Sequence, residues 1–458
     1  MKTETCRLLV IGAGPGGYAC AIRAGHLGID TILVEADKFG GTCLNVGCIP
    51  SKAIIHAAEE FARALLQADG NELGIHTTTP TIDLARTIAW KDSIVERLTG
   101  GVAGLLRKAK VRSVVGRAVV LDGKTVEVET SDGLLQIQTQ TLVIATGSEP
   151  MELASLPFGG RVINSTKALA LAEVPGRLAI VGGGYIGLEI GMAMAKLGAS
   201  VTVIEAEDRI LPQYDAELTT PVRKRLTELG IALHLSARAK GLDGEGKALV
   251  VQTADREISV PMDYVLVTAG RKPRTTGFGL EGLGLAMAGP FIAVDDRCAT
   301  SMREVFAIGD VTGDPMLAHR AMAQGTMVAE IVSGQARQWD KRAIPAVCFT
   351  DPEIVVVGQL PGHVNSQSTT FPFSANGRAM TMERSDGFVR VVADRDTGLV
   401  LGLQAVGAGV SELAGQFSLA IEMAATLTDI ADTIHAHPTL GEAVQETALK
   451  GLGKALHI

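Results

Sequence analysis

Short apolar runs that stop on glycine organise the first two-thirds of this chain. Leu8-Leu9-Val10-Ile11 gives way to Gly12-Ala13-Gly14-Pro15-Gly16-Gly17. A short apolar run bounded by turn residues predicts a buried strand feeding a tight turn. Residues 18–27 then read as a helix, and 31–34 as a second strand ending on Glu35. The pattern returns at Leu178-Ala179-Ile180-Val181, followed by Gly182-Gly183-Gly184-Tyr185-Ile186-Gly187. A helix to residue 197 and a strand over 201–204 ending on Glu205 complete the second copy. In both copies the acid lies 23 positions after the first glycine.

Each copy contains G-x-G-x-x-G: Gly12, Gly14 and Gly17, then Gly182, Gly184 and Gly187. Such spacing alone is weak, but a preceding strand, a following helix and a terminal acid make it a dinucleotide-binding fingerprint. The first glycine permits the turn, the second lets a pyrophosphate approach, and the third lets helix pack on strand. Phosphates would rest on the helix N-terminus, and Glu35 and Glu205 would accept bonds from ribose hydroxyls.

Further strands are expected over 138–144, 264–268 and 305–308. They end in Ala145-Thr146-Gly147-Ser148, Ala269-Gly270-Arg271 and Gly309-Asp310. Strand ends of this kind line nucleotide crevices. Clustered Pro, Gly and charge mark boundaries near 149–157, 272–277 and 334–345. From about 346 onward, strand-like stretches (354–358, 387–393, 400–406) precede helical ones (410–425, 427–434, 440–452), which suggests an α+β domain. The expected architecture is α/β, with two Rossmann-like nucleotide-binding domains plus an α+β C-terminal domain. The expected divisions are 1–148, 149–270, a segment 271–340 completing the first site, and 341–458.

Composition agrees with this outline. A chain of 458 residues exceeds one ordinary core. With 47% hydrophobic and 20% charged residues it is not a disordered sequence. A formal charge of −8 disfavours nucleic acid or an anionic membrane as partner. The first residues run straight into a strand, so no signal peptide is expected. The longest apolar stretch, around 178–188, stops at Glu189, too short to span a bilayer. A soluble, cytoplasmic protein is expected.

Cysteine carries the chemistry. Cys6, Cys20, Cys298 and Cys348 are scattered in apolar company and read as small buried hydrophobes. Cys43 and Cys48 are different, lying close together in Gly40-Gly41-Thr42-Cys43-Leu44-Asn45-Val46-Gly47-Cys48-Ile49-Pro50-Ser51-Lys52. In a reducing compartment a close pair signals redox or metal chemistry. Zinc would require two more ligands, and no other Cys pair exists, while His435 and His437 stand alone. Pro50 marks a helix start, which places Cys48 near the positive end of the helix dipole. Lys52 adds positive charge, and both features favour the reactive thiolate.

The block from Gly40 to Lys52 resembles that of the pyridine nucleotide–disulfide oxidoreductases. The likeness runs through nearly the whole chain. It includes Ala145-Thr146-Gly147-Ser148, the stretch from Gly182 to Glu189, Phe306-Ala307-Ile308-Gly309-Asp310-Val311 and Leu317-Ala318-His319. It continues through Phe349-Thr350-Asp351-Pro352-Glu353 and His435-Ala436-His437-Pro438-Thr439-Leu440-Gly441-Glu442. The cysteine and His-Pro blocks are specific, whereas the glycine fingerprints are shared with many enzymes. The resemblance implies a Cys43–Cys48 redox disulfide exchanging electrons with FAD. Cys43 would be the interchange thiol facing substrate and Cys48 the thiol against the flavin. His437 would be the base, oriented by Glu442. Lys52 would pair with Glu189 near the flavin, Glu35 would hold the FAD ribose, and Asp310 would reach its ribityl–pyrophosphate region. Gly116 and Ala318 match backbone contacts to FAD, and Gly41, Thr42, Thr146 and Gly147 belong to the same cofactor-binding set. Tyr185 and Ile186 of the second fingerprint, with Ala239, Ala269 and Gly270, are expected on the nicotinamide-nucleotide side.

The implied reaction oxidises a protein-bound dihydrolipoyl group to lipoyl and reduces NAD⁺ to NADH. The implied partners are the lipoyl domains and acyltransferase core of a 2-oxo acid dehydrogenase complex, or a glycine-cleavage system. A homodimer is also implied, with His437 reaching the cysteines of the other subunit. NAD is favoured over NADP because Glu205, Glu207 and Asp208 would repel a 2′-phosphate, although Arg209 follows them. The same acids argue against the glutathione-reductase type, which prefers NADP. Mercuric reductases carry a C-terminal vicinal cysteine pair that is not seen here, and soluble transhydrogenases lack the redox cysteines. A non-enzymatic flavin-binding component fits poorly with an intact Cys43, Cys48, His437 and Glu442 set. Residues 359–370 form a shorter stretch than the family usually has.

Overall fold

The computed structural model describes residues 2–457. Strand β1 (Lys2–Ile11), helix α1 (Pro15–His26) and strand β2 (Thr31–Glu35) form the first βαβ unit, with the two strands parallel. β1 begins well before its apolar run because its polar first half pairs with the long strand Gly133–Ile144. Gly12 has φ +97, and a Cβ there would lie 2.4 Å from the Ala145 carbonyl oxygen, so the turn admits only glycine. A Cβ on Gly17 would lie 1.8 Å from the Gly12 oxygen, which fixes how closely α1 packs on the turn.

The first sheet runs in the order Arg112–Val115, β2, β1, Gly133–Ile144. The second half of Gly133–Ile144 then pairs in parallel with Val305–Ala307, and its first half with an antiparallel hairpin, Arg117–Val120 and Thr125–Thr130. That hairpin was not legible as an apolar run, because only alternate residues such as Val126 and Val128 point inward. A second, five-stranded parallel sheet has the order Ala232–His234, Ser200–Ile204, Arg177–Val181, Tyr264–Val267, Val162–Ile163. Its helix Tyr185–Lys196 matches α1 of the first unit, and the two βαβ copies predicted from the glycine pattern are both present.

The C-terminal part is a five-stranded antiparallel sheet covered by helices, as an α+β reading expects. Several boundaries differ. The stretch 410–425 is a 3₁₀ turn, Val410–Leu413, followed by the helix Ala414–Glu422. Ala424 adopts φ 53 just beyond, and a Thr426–Asp429 capping box starts the next helix, Leu427–Asp432. The last helix begins at Glu442 rather than 440, because Pro438 and the Thr439 amide bonded to Glu442 shape a loop before it. The edge strand Ser366–Pro372, which overlaps the stretch read as short, was not expected, being polar and closed by proline as edge strands are.

The junction between the second sheet and the C-terminal sheet is held by buried charge. Asp351 is 6% exposed and meets Lys196 at 2.7 Å, Arg225 at 3.0 Å and Arg384 at 2.5 Å. Burial pushes its carboxyl up, but Lys196, Arg384 and Arg225 outweigh that and hold it well below the usual aspartate range. Asp351→Ala strands Lys196, itself 5% exposed, without its main partner. A loss of about 3–5 kcal/mol is expected, read as a lowered urea midpoint. Because the folded pKa is depressed, this contribution is complete above the free-aspartate value of about 3.9 and is lost as pH falls towards the folded value.

Candidate active site

Gly40 and Gly41 let the cysteine block approach the first phosphate loop. Gly41 has φ +58, and a Cβ there would lie 2.4 Å from the Gly14 Cα. The block itself is helix α2 (Gly41–Val46), a break at Gly47, and helix α3 (Cys48–Ala68). Asn45 Nδ2 donates to the Phe39 and Gly41 carbonyls and holds α2 in place. Cys43 therefore sits within α2, and Cys48 is the first residue of α3, where the free amides of the helix start favour negative charge. Ile54 and Ala58 of α3 share one apolar core with Leu188, Ile190 and Met192 of the second unit. That packing places both thiols at the seam between the two nucleotide-binding units.

Both cysteines line a cavity of about 700 Å³. Its lining includes Gly12, Gly14, Glu35, Gly41, Thr42, Lys52, Gly116, Thr146, Gly147, Asp310 and Ala318. Tyr185, Ile186 and Glu189, from the start of the second-unit helix, line the same cavity. Gly17 is buried in packing beside it. Gly182, Gly184, Gly187, Glu205, Ala269 and Gly270 lie instead at the carboxyl edge of the second sheet, outside that lining. Ala239 sits at a bulge in the strand Arg238–Leu242, against the core of Leu249 and Val251, and is not brought to the cavity.

The two fingerprints are built alike. Glu35 accepts from the Ala13 amide at 2.7 Å and the Asp37 amide at 3.0 Å. Glu205 accepts from the Gly183 amide at 2.5 Å and the Glu207 amide at 2.8 Å. Each acid thus braces its own glycine loop. Neither helix start has a side-chain cap or an acid in its first turn, and Gly14 and Gly184 have open space where a Cβ would point. An anion can therefore reach both helix starts, as a dinucleotide pyrophosphate requires.

The two thiols differ electrostatically. The hydrogen bond from the Cys43 thiol lowers Cys48, burial opposes it, and Lys52 lowers it further, bringing Cys48 to about 7. Cys43 is pushed far up by that same hydrogen bond, then by burial and the neighbouring Cys48 charge. When the reduced pair ionises, the first negative charge falls on Cys48. Cys48 is exposed only in the sense that it opens onto the cavity it lines. Lys52 Nζ lies 2.8 Å from Glu189 Oε2, and Glu189 is 4% exposed.

His437 Nδ1 lies 2.6 Å from Glu442 Oε1, and the Glu442 Oε2 accepts from the Thr439 amide at 2.8 Å. The imidazole is oriented yet 79% exposed, and neither residue lines the cavity of its own chain. His435 bonds Gln416 and the Thr433 carbonyl, a structural histidine. Cys6, Cys20, Cys298 and Cys348 are buried.

Sequence reasoning missed Arg271 as a site residue. It donates to the Ser148 hydroxyl at 2.8 Å and carbonyl at 2.9 Å, and that hydroxyl donates to Asp310 at 2.5 Å. Its position at a strand end was the only signal for it. Arg274 and Met316 also line the cavity and carried none.

Comparison with known proteins agrees with this geometry. Residues 6–325 match the family model described as pyridine nucleotide-disulphide oxidoreductase, and 344–448 match its dimerisation domain. The dihydrolipoyl dehydrogenase of Pseudomonas aeruginosa is 58% identical over 457 residues, 98% of each chain. That of Geobacillus stearothermophilus is 42% identical over 466 residues, 100% of this chain and 98% of the other. The solved structure of LpdA from Mycobacterium tuberculosis superposes with a TM-score of 0.88 at 27% identity, covering 97% of this chain and 99% of that one. With a duplicated nucleotide fold, a cysteine pair at the seam and matches that span the chain, this protein belongs to the pyridine nucleotide-disulphide oxidoreductases.

Proposed function

We propose that the chain oxidises protein-bound dihydrolipoyl groups to lipoyl and reduces NAD⁺ to NADH, using FAD and the Cys43–Cys48 pair. The observation that carries this reading is the inequality of two thiols on one cavity, between two dinucleotide-binding loops. We assign FAD to 1–148 with 271–340, NAD to 149–270, and subunit contact to 341–458.

A substrate thiolate attacks Cys43 Sγ of the oxidised pair, and the Cys43–Cys48 bond breaks. Cys48 leaves as thiolate, and a low-pKa thiol is the better leaving group. The second substrate thiolate then attacks the substrate sulfur bonded to Cys43, which closes the lipoyl ring and releases Cys43 as thiolate. When bound, FAD supplies the acceptor through which the electron pair reaches NAD⁺. The charge of Lys52 favours the Cys48 thiolate.

His437 takes the protons that the dithiol gives up. Glu442 accepts from Nδ1, which leaves Nε2 as the basic nitrogen. An oriented base that is exposed and outside its own cavity fits a homodimer in which a second copy presents it to the thiols. Lipoyl domains and the acyltransferase core of a 2-oxo acid dehydrogenase or glycine-cleavage system are the expected partners, in the cytoplasm. Among the described residues no helix is long and apolar enough to cross a membrane.

Purified protein should be yellow and form NADH from dihydrolipoamide and NAD⁺, with NADP⁺ at least about tenfold poorer because Glu205 repels a 2′-phosphate. No NADH from dihydrolipoamide, with NADPH oxidation by glutathione disulfide instead, contradicts the proposal.

A further inference from the structure

Phe349 follows the strand Ala346–Cys348 of the C-terminal sheet and does not line the cavity. It nevertheless touches both members of the charge pair at the cavity's sulfur end. The Lys52 ammonium lies 4.3 Å from the centroid of its ring, and its backbone amide donates to Glu189 Oε1 at 2.9 Å. Glu189 thus divides its oxygens between Lys52 and Phe349. Two residues on, Asp351 is clamped by Lys196, Arg225 and Arg384, so the segment carrying Phe349 is anchored to the second unit.

We propose that Phe349 is a positioning residue, whose ring and amide fix the Lys52–Glu189 pair and so set the charge state of the flavin-facing sulfur. This rests on the reading of Cys48 as the thiol beside the flavin. Lys52 alone could swing among its rotamers, and the negative face of an aromatic ring limits it to one. Several groups face Cys48: Cys43 from α2 and Lys52 from α3 lower it, Glu189 from the second-unit helix raises it, and the phenols Tyr185 and Tyr18 stand near it. Of these, Lys52 is the cation that lowers Cys48.

The test is a pH titration of holoenzyme reduced by two electrons. It follows the long-wavelength absorbance that a thiolate gains against an oxidised flavin. Phe349→Leu keeps the backbone amide and removes the ring. Its midpoint is expected to rise by about half a pH unit, roughly threefold in the thiolate-to-thiol ratio, with flavin content unchanged. Phe349→Tyr, which keeps an aromatic face, is expected to restore the wild-type midpoint. In a Lys52→Met background, Phe349→Leu is expected to add no further shift. An unmoved midpoint in Phe349→Leu, no rescue by Phe349→Tyr, or the same shift without Lys52 overturns the proposal. Absence of the band in the wild-type protein would instead refute the functional reading beneath it.

Discussion

Cys43→Ser should lose dihydrolipoamide-dependent NADH formation by about a thousandfold or more while remaining fully yellow. On the proposed reading the sulfur that substrate attacks is gone, and Cys6, Cys20, Cys298 and Cys348 are buried and cannot replace it. Burial, with the neighbouring Cys298, pushes Cys20 up to about 12, so at neutral pH it is a thiol. The cavity should survive, because the position of α2 is set by Asn45 and the Gly41–Gly14 approach, not by the Cys43 side chain. Flavin content by absorbance and turnover by NADH formation measure the two halves separately. Retained turnover would refute the assignment of Cys43 as the interchange thiol.

The second large effect concerns the base. His437→Gln should lower turnover by about 10²–10⁴-fold, the usual worth of a positioned general base. Flavin content should stay unchanged, since His437 lies outside the cavity of its own chain. Glu442→Gln should produce a smaller loss, since the imidazole keeps its ring but gains a neutral partner at Nδ1. A stronger test of the dimer follows from mixing. Heterodimers of Cys43→Ser and His437→Gln subunits carry one site with both residues intact if the base comes from the second copy. Such mixtures should recover activity that neither variant has alone, and none would recover if each chain supplied its own base.

Much of this site was legible because its parts are coded locally. The glycine turns, the Cys43–Cys48 block and the His437–Glu442 spacing each place chemistry within a few residues along the chain. The pair Lys52–Glu189 spans 137 positions, and only the family resemblance pointed to it. What stayed hidden has no local pattern. Arg271 reaches Ser148 across 123 positions, and Phe349 reaches Glu189 across 160, through contacts that exist only once sheets are stacked. The hairpin strand Thr125–Thr130 and the edge strand Ser366–Pro372 were missed for a different reason. Half their residues face outward, so they lack the continuous apolar run that marks the central strands.

The same geometry sharpened the cysteine pair itself. Spacing made Cys43 and Cys48 a pair, and the helix start beneath Cys48, the Lys52 charge and the hydrogen bond from Cys43 make them unlike. Trapping reads that difference directly. Each single-serine holoenzyme is incubated with an oxidised lipoyl peptide, and adducts are located by mass spectrometry. Cys48→Ser is expected to form a mixed disulfide on Cys43, and Cys43→Ser to form none, because the proposed reading makes Cys48 the thiol that faces the flavin. An adduct on Cys48, or equal adducts in both variants, would contradict the division of labour between the two thiols.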